Sequence, residues 1–277
     1  MSLAPTEPLL HGAHMPRLGL GTSPMNDADT EKAVTQALGA GYRLIDTAEN
    51  YGNERGVGAG IRASGVPRDE IFVTTKFNKR WHGSDLVSEA FNASLDRLGL
   101  DYLDLLLIHW PNPAQNQYVD AWRGMIALLN EGRVRAIGTS NFKPAHLQRL
   151  IDETEVVPDV NQIQLNPLVA RVEARAFHDL HGITTESWSP LGGGDANVLR
   201  VPLVEELAHK YDRTPAQIAL RWHVQLELVA IPKSSNSERL QQNLDVFHFE
   251  LEAADMDALS GLDRGESAAV DSDEFGH

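Results

Sequence analysis

Short apolar runs that end in polar residues alternate along the whole chain with segments of helical length. In order, the runs are PRLGLGT, RLIDT, IFVTTK, YLDLLLIHW, VRAIGTSN, VNQIQLN, ITTESWS and LVAIPKS. Alternation of strands with helices is typical of an α/β fold with a parallel sheet. Eight strands with interleaved helices favour a closed (β/α)8 TIM barrel over an open doubly wound sheet.

Three departures from this alternation predict additional elements. The segment PLLHGAHM, which precedes the first strand, predicts a β-hairpin that turns at Gly12. The connection between Trp188 and Lys233 is longer than the earlier ones, so we expect extra helices after strand seven. Further helices are expected at the C-terminus.

The length of the chain fits one barrel. It has 277 residues and a mass of 30.5 kDa, and no low-complexity linker divides it. We therefore predict a single domain over residues 1–277, with a mobile acidic tail at 265–277. The acidic side chains of this tail are expected to be unopposed: Glu266, Asp271, Asp273 and Glu274.

Composition excludes several classes of function. The formal net charge of −15 disfavours binding to nucleic acid and to anionic membranes. The absence of cysteine excludes disulfides, zinc–thiolate sites, iron–sulfur clusters and cysteine nucleophiles, and no other metal site is indicated. The N-terminal residues lack the features of a signal peptide, and no apolar stretch is long enough to cross a bilayer. We expect a cytoplasmic protein without a membrane anchor.

Polar and aromatic side chains stand at the carboxyl ends of the predicted strands. In a barrel of this kind those ends converge on one rim, where the chemistry takes place. The residues at these positions in strands two to eight are Asp46, Lys76, His109, Ser140, Asn141, Gln162, Trp188 and Lys233. Each has a structural explanation when taken alone, for example a turn cap for Asp46 or a hydrogen-bonded core histidine for His109.

Three of these residues, together with Tyr51, predict acid catalysis. Lys76 and His109 emerge from apolar strands, where an unpaired charge would cost several kcal/mol, so Asp46 is the expected partner of Lys76. Tyr51 follows Asp46 closely and can fold back over this pair. Because an adjacent ammonium lowers the pKa of a phenol, we expect a lowered pKa for Tyr51 and a role as general acid.

A bound cofactor would supply the reactive partner that this acid needs. The segment IPKSSNSERLQQN after strand eight opens a predicted helix and brings cations and hydroxyls together, which suits a phosphate. Its candidate ligands are Lys233, Ser234, Asn236, Arg239 and Asn243. The alternative is an ordinary solvated helix start. No GxGxxG sequence occurs, so a Rossmann site is not supported.

Four segments, in order, resemble the signatures of the aldo-keto reductase family. They are GYRLIDTAENYGNERGVG at 41–58, DYLDLLLIHWP at 101–111, VRAIGTSNF at 134–142 and IPKSSNSERLQQN at 231–243. Thr139 stands where an aliphatic residue is usual, and Gln242 where glutamate is common. The chain is most similar to the prokaryotic members related to 2,5-diketo-D-gluconate reductase.

The resemblance implies NADPH-dependent reduction of aldehydes or ketones by a monomer. Tyr51 would donate the proton, Lys76 would tune its pKa, Asp46 would pair with Lys76, and His109 would orient the carbonyl. Trp188, in place of the usual tyrosine, would stack on the nicotinamide. The other implied cofactor-binding residues are Thr22, Ser140, Asn141, Gln162, Ser189, Leu191 (within a strap to Leu199), Lys233, Ser234, Asn236, Arg239 and Asn243.

The substrate is the least constrained part of this prediction. We expect a small carbonyl compound in a pocket walled by Met25, Trp81, Trp110 and the C-terminal tail. Side chains near strand three, at Lys79, Arg80 and His82, would favour acidic or dicarbonyl substrates unless they are merely solvated. Two other functions stay open at this point: a Schiff-base aldolase with Lys76 as nucleophile, and a regulatory barrel that binds cofactor with little turnover.

Overall fold

The structure, a computed structural model, describes residues 3–193 and 197–276. It begins with an antiparallel hairpin of β1 (Thr6–Pro8) and β2 (His14–Pro16), in which Glu7 pairs with Met15. Gly12 lies in the turn with a φ of 90°, a conformation that favours glycine. The predicted hairpin is therefore confirmed.

Within the described residues, eight parallel strands form one sheet in which each strand pairs with the next along the chain. They are β3 (Leu20–Gly21), β4 (Leu44–Asp46), β5 (Phe72–Phe77), β6 (Leu103–Ile108), β7 (Val134–Ser140), β8 (Val160–Gln164), β9 (Thr184–Trp188) and β10 (Val229–Ala230). This arrangement confirms the predicted barrel.

The first and last strands approach each other and close the barrel. Leu18 forms a parallel bridge with Ala230, and the Gly19 N–H donates to the Ala230 carbonyl at 2.9 Å. A Cβ atom at Gly21 would lie 2.8 Å from the carbonyl oxygen of Ile231. Only glycine at position 21 permits this close approach of the two backbones.

Helices α1 to α10 surround the strands or follow them. Their bounds are α1 (Asp27–Ala40), α2 (Glu54–Ser64), α3 (Ser84–Leu98), α4 (Tyr118–Asn130), α5 (Pro144–Thr154), α6 (Val172–His181), α7 (Pro202–Tyr211), α8 (Pro215–Gln225), α9 (Ser237–Leu244) and α10 (Ala253–Ser260). The connection from β9 to β10 carries two helices, α7 and α8, and α10 follows α9 near the C-terminus. These are the extra helices that the sequence predicts.

The hydrophobic core has two layers, separated by the strands. On β6, Leu105 and Leu107 point into the barrel, whereas Leu106 and Ile108 pack against the helices, as the two-residue period of a strand requires. Met15 of the hairpin joins the inner layer with Leu44 at the start of β4. The hairpin thus closes the end of the barrel at which the strands begin, which leaves the opposite end for a site.

Acidic side chains of the C-terminal tail form ion pairs with the barrel. Lys143 donates to Asp271 and to Asp273 at 2.6 Å each, and Arg171 donates to Glu266 at 2.7 Å. The expectation that the acidic side chains of the tail are unopposed was therefore wrong for these three. Their cationic partners precede α5 and α6, so they are distant in sequence and only the fold brings them to the tail.

Candidate active site

A cavity of about 510 Å³ opens at the carboxyl ends of the strands. Predicted site residues that line it are Thr22, Asp46, Tyr51, His109, Trp110, Ser140, Asn141, Gln162, Trp188, Ser189, Leu191 and Lys233. Residues from seven of the eight strands, or from the loops that follow those strands, are thus brought to one place, and Lys76 of β5 does not line the cavity. Residues 194–196, within the predicted strap from Leu191 to Leu199, lie outside the described residues.

Lys76 is fully buried behind this cavity and is paired there. Its ammonium donates to the two carboxylate oxygens of Asp46 at 2.7 and 2.9 Å, and to the carbonyl of Thr47 at 2.8 Å. These three bonds hold the ammonium in place. The pairing of Lys76 with Asp46 that the sequence analysis expects is present in the structure.

Tyr51 lies between Lys76 and His109. The Lys76 ammonium is 5.1 Å from the centre of the Tyr51 ring, and the rings of Tyr51 and His109 meet edge to face with centroids 5.7 Å apart. A short helical turn over Glu49–Tyr51, ended by Gly52 with a φ of 67°, carries the tyrosine back toward the barrel axis. A phenol and an imidazole therefore share one wall of the cavity, and the buried ammonium lies behind that wall.

The electrostatics of this group differ from the sequence expectation. Burial raises the pKa of Tyr51 above its ordinary value, and the Lys76 ammonium only partly opposes that rise. The expected net lowering of the pKa was wrong because the depth of burial is not readable from sequence. Burial lowers the pKa of Lys76, but Asp46 and Tyr51 raise it by more, so the amine stays protonated. Tyr51 thus keeps its proton at neutral pH.

Asn141 and Trp188 are linked beside this wall. The indole N–H of Trp188 donates to Asn141 Oδ1 at 2.8 Å, and Asn141 Nδ2 donates to the His109 carbonyl and to Ser140 Oγ at 3.0 Å each. The indole therefore offers a hydrogen bond of its own, although it lacks the hydroxyl that a tyrosine at this position would carry. A flat aromatic face and several amide groups adjoin the cavity here.

Gln162 connects Asp46 to a carboxyl group that the sequence analysis missed. Its Nε2 donates to Asp46 Oδ2 at 2.8 Å and to Glu186 Oε2 at 2.7 Å. Glu186 is fully buried in β9, two residues before Trp188. The signal that was available is the strand pattern itself, since residues two apart face the same side.

The segment after β10 presents two cations near the cavity. Asn236 caps α9 by accepting from the Arg239 N–H at 3.0 Å, and Ser234 Oγ accepts from the Asn236 N–H at 3.2 Å. Among the described residues no carboxylate forms an ion pair with the exposed side chains of Lys233 or Arg239. Asn243, by contrast, is buried beside Tyr42. Of these five predicted ligands, only Lys233 lines the cavity.

The predicted substrate residues divide into one that lines the cavity and two that do not. Trp110 lines it, and its ring meets Phe275 of the tail at 4.8 Å between centroids. Met25 packs in the core instead, and the Trp81 indole N–H donates to Glu49 at 3.0 Å. The tail residue Phe275 therefore packs on Trp110 beside the cavity, although it does not itself line the cavity.

The cations near strand three have partners in the structure. Arg80 is paired with Glu49 and stacks on Trp81, and Lys79 reaches the backbone carbonyl of Gly276 at 3.4 Å. The expected preference for acidic substrates therefore gains no support from free charges at this position.

Comparisons with known proteins agree with this geometry. Residues 15–264 match the sequence model of the Aldo/keto reductase family. The chain belongs to this family. It is 46% identical to methylglyoxal reductase DkgA of Yersinia pestis over 100% of this chain and 99% of that one. It is 49% identical to 2,5-diketo-D-gluconic acid reductase B of Corynebacterium sp. over 94% of both.

Solved structures of relatives match this aldo/keto reductase over its whole length. One is the crystal structure of a variant of Gox0644 in complex with NADPH, with a TM-score of 0.94, 42% identity and full coverage of both chains. Within the part of the aldo/keto reductase that the structure describes, no helix is both long and apolar enough to span a membrane. Nor do three or more histidine or carboxylate side chains of that part come together as metal ligands.

Proposed function

We propose that this aldo/keto reductase reduces aldehydes and ketones to alcohols with NADPH. The observation that carries the proposal is the contact of Tyr51 with the buried Lys76–Asp46 pair at the wall of the cavity. NADPH, when bound, supplies the hydride that the carbonyl carbon accepts. Tyr51 transfers its phenolic proton to the carbonyl oxygen, and the Lys76 ammonium stabilises the phenolate that remains.

The residues around the cavity fit the nicotinamide end of the cofactor. We assign the carboxamide to Ser140, Asn141 and Gln162, which line the cavity at the ends of β7 and β8, where Ser140 Oγ donates to the Gln162 backbone carbonyl and accepts from Asn141 Nδ2. Trp188 offers its ring face for stacking, and its indole N–H is already bound to Asn141. Thr22, Ser189 and Leu191 line the same cavity and would enclose the cofactor.

The segment after β10 fits the adenosine end. Lys233 and Arg239 present cations without a carboxylate partner among the described residues, beside the capped start of α9. A helix start with nearby cations suits the 2′-phosphate that distinguishes NADPH from NADH. We propose the same environment for Ser234, Asn236 and Asn243, with Asn243 reaching the adenine only after it releases Tyr42.

His109 would orient the substrate. Its ring lies edge-on to Tyr51 and lines the cavity, so a carbonyl oxygen bound between the two rings meets both the proton donor and a second polar group. Trp110 and Phe275 form an apolar wall next to it. Because relatives are named for methylglyoxal and for 2,5-diketo-D-gluconic acid, we propose small dicarbonyl compounds as substrates.

Two further proposals concern the setting of the enzyme. The absence of cysteine is compatible with a reducing compartment, which supports a cytoplasmic location. A single chain supplies Tyr51, Lys76, Asp46 and His109 for the proposed chemistry, which therefore requires no second subunit, and we propose a monomer.

Turnover assays with NADPH and a panel of carbonyl compounds test the proposal. We expect loss of NADPH absorbance with simple aldehydes and small dicarbonyls, and a slower reaction with NADH. The aldolase alternative predicts instead that borohydride traps a covalent adduct of a keto substrate on Lys76. The geometry disfavours that adduct, since the Lys76 amine is protonated and is held by Asp46 and Thr47.

A further inference from the structure

Glu186 is a buried carboxyl group to which the proposed mechanism assigns no role. It is fully buried inside the barrel, in register with Gln162 on the neighbouring strand. Among the described residues its Oε2 accepts from Gln162 Nε2 at 2.7 Å, while its Oε1 is buried with no hydrogen-bond partner. A buried carboxylate with so little compensation is costly, so its presence calls for a function.

The amide of Gln162 is held between two carboxyl groups. One hydrogen of its Nε2 goes to Asp46 at 2.8 Å and the other to Glu186 at 2.7 Å. Since both hydrogens are taken, the amide oxygen is the group left to face the cavity that Gln162 lines. Glu186 thus fixes which end of the Gln162 amide a nicotinamide carboxamide would meet.

The two bonds donated by Gln162 Nε2 also connect Glu186 to Asp46, and so bring it into electrostatic contact with Lys76 and Tyr51. Asp46, Lys76 and Tyr51 are the charged and titratable side chains that face it from β4, β5 and the turn after β4. Its neighbour Ser187 points to the other side of β9, toward His223. A negative charge on Glu186 raises the pKa of Tyr51 and of Lys76.

We propose that Glu186 is a positioning residue that acts through Gln162 and Asp46. Its carboxyl group orients the Gln162 amide for the nicotinamide, and its ionisation makes Tyr51 a weaker acid. The first part rests on the proposed NADPH site and the second on the proposed role of Tyr51. Burial and the nearby Asp46 raise the pKa of Glu186 to about 8, so the group changes charge in the range where reductase assays are run.

The first test compares Glu186→Gln with the wild type across pH. At neutral pH and below, both carry an uncharged side chain, and their rates of carbonyl reduction should agree. Above about pH 8, where wild-type Glu186 ionises, the wild-type rate should fall. The variant should stay about 3- to 10-fold faster there, because one unit of pKa is about a tenfold change in acid strength. An alkaline fall of the same size and midpoint in both would overturn the proposed link to Tyr51.

A matched control is Glu54→Gln. Glu54 is another buried glutamate, but its carboxylate accepts from Thr75 Oγ1 at 2.7 Å and from Arg97 Nε at 2.5 Å, apart from Gln162. This variant should keep the wild-type pH profile even if it is less stable. A shift of its alkaline limb equal to that of Glu186→Gln would mean that any lost buried carboxyl has this effect.

The second test concerns orientation and uses binding alone. Glu186→Leu removes the acceptor for Gln162, whereas Glu186→Gln keeps one. We expect Glu186→Leu to weaken NADPH binding, Glu186→Gln to restore it, and neither to change the affinity for 2′-phospho-ADP-ribose, which lacks the nicotinamide. Unchanged NADPH affinity in Glu186→Leu would contradict the positioning role. Failure of the wild type to bind NADPH would instead contradict the proposed function.

The protonated carboxyl group can also be observed without turnover. In infrared spectra, the wild type should show the carbonyl stretch of a buried carboxylic acid at neutral pH, which disappears through about pH 8. Glu186→Gln should lack this band, and Glu54→Gln should keep it. If the wild-type spectrum is identical to that of Glu186→Gln at neutral pH, Glu186 is already ionised there. This result would refute the proposed change of charge near pH 8.

Discussion

The ammonium of Lys76 lies 5.1 Å from the centre of the Tyr51 ring and is fixed in place by Asp46. The amine therefore opposes the rise in the pKa of Tyr51 that burial produces, without being free to react itself. Removing the phenol or the ammonium should consequently damage catalysis in two different ways.

Replacing Tyr51 with phenylalanine should abolish most of the reduction and leave NADPH affinity almost unchanged. The change deletes the proton donor and keeps the ring, and general acid catalysis contributes about 10²- to 10⁴-fold in rate. Single-turnover reduction and NADPH titration measure the two effects. A variant that keeps most of the wild-type rate of the chemical step would remove Tyr51 from the mechanism.

Lys76→Met should lower both the rate and the stability. Without the ammonium the pKa of Tyr51 rises further, and Asp46 is left buried without its cation. Loss of one partner of a buried ion pair costs about 3–5 kcal/mol in the free energy of unfolding. Urea denaturation and single-turnover assays check the two parts. Wild-type stability of this variant would argue that Asp46 is compensated by another group.

Arg239→Ala should weaken the binding of NADPH and leave that of NADH nearly fixed. A charge-assisted hydrogen bond contributes roughly 1.5 to 3 kcal/mol, so the dissociation constant of NADPH should rise about 10- to 150-fold. Salt should also weaken NADPH binding to the wild type, because it screens the attraction between the 2′-phosphate and the local cations Lys233 and Arg239, on which binding to a protein of net charge −15 depends. Arg123→Ala, on the surface of α4, is the control. Equal weakening of both cofactors by Arg239→Ala would show that the residue does not read the 2′-phosphate.

Glu186 should also give the folded state a dependence on pH. Its pKa is raised from 4.5 to about 8, so the folded protein holds this proton more tightly than the unfolded chain. The stabilisation is complete below about pH 4.5 and is lost as the pH rises through about 8. The unfolding free energy of Glu186→Gln minus that of the wild type should therefore increase with pH in this range, by up to about 1.4 kcal/mol per unit. If the unfolding free energies of the two proteins change with pH in parallel, the raised pKa of Glu186 is contradicted.

Phe275→Ala should raise the KM for apolar carbonyl substrates more than it lowers kcat. The ring packs on Trp110 beside the cavity, and an aromatic contact of this kind contributes about 0.5–1.5 kcal/mol. The corresponding increase in KM is about 2- to 13-fold. Leu180→Ala, an exposed apolar residue on α6, serves as control. An unchanged KM would place Phe275 outside the substrate pocket.

The strand ends were predictable because each strand is read from a local pattern and parallel strands end at one rim. Asp46, Lys76 and Gln162 therefore meet where the sequence analysis expects them. Contacts between distant segments were not predictable in this way, as the pairing of Lys143 with Asp271 shows. Glu186 was not predicted because it lies two residues before the end of β9, and the local pattern does not show that a carboxyl group is buried inside the barrel.

The bond between Trp188 Nε1 and Asn141 Oδ1 has a thermodynamic consequence. The ring that would stack on the nicotinamide is already immobilised in the free protein, and so is the amide beside it. Ordering a side chain of this size on binding costs about 0.5–1.5 kcal/mol. Because the ring is already ordered in the free folded protein, cofactor binding does not incur this loss of entropy. Trp188→Phe, which keeps the ring face but loses the N–H, should therefore bind cofactor with a more unfavourable entropy in calorimetry.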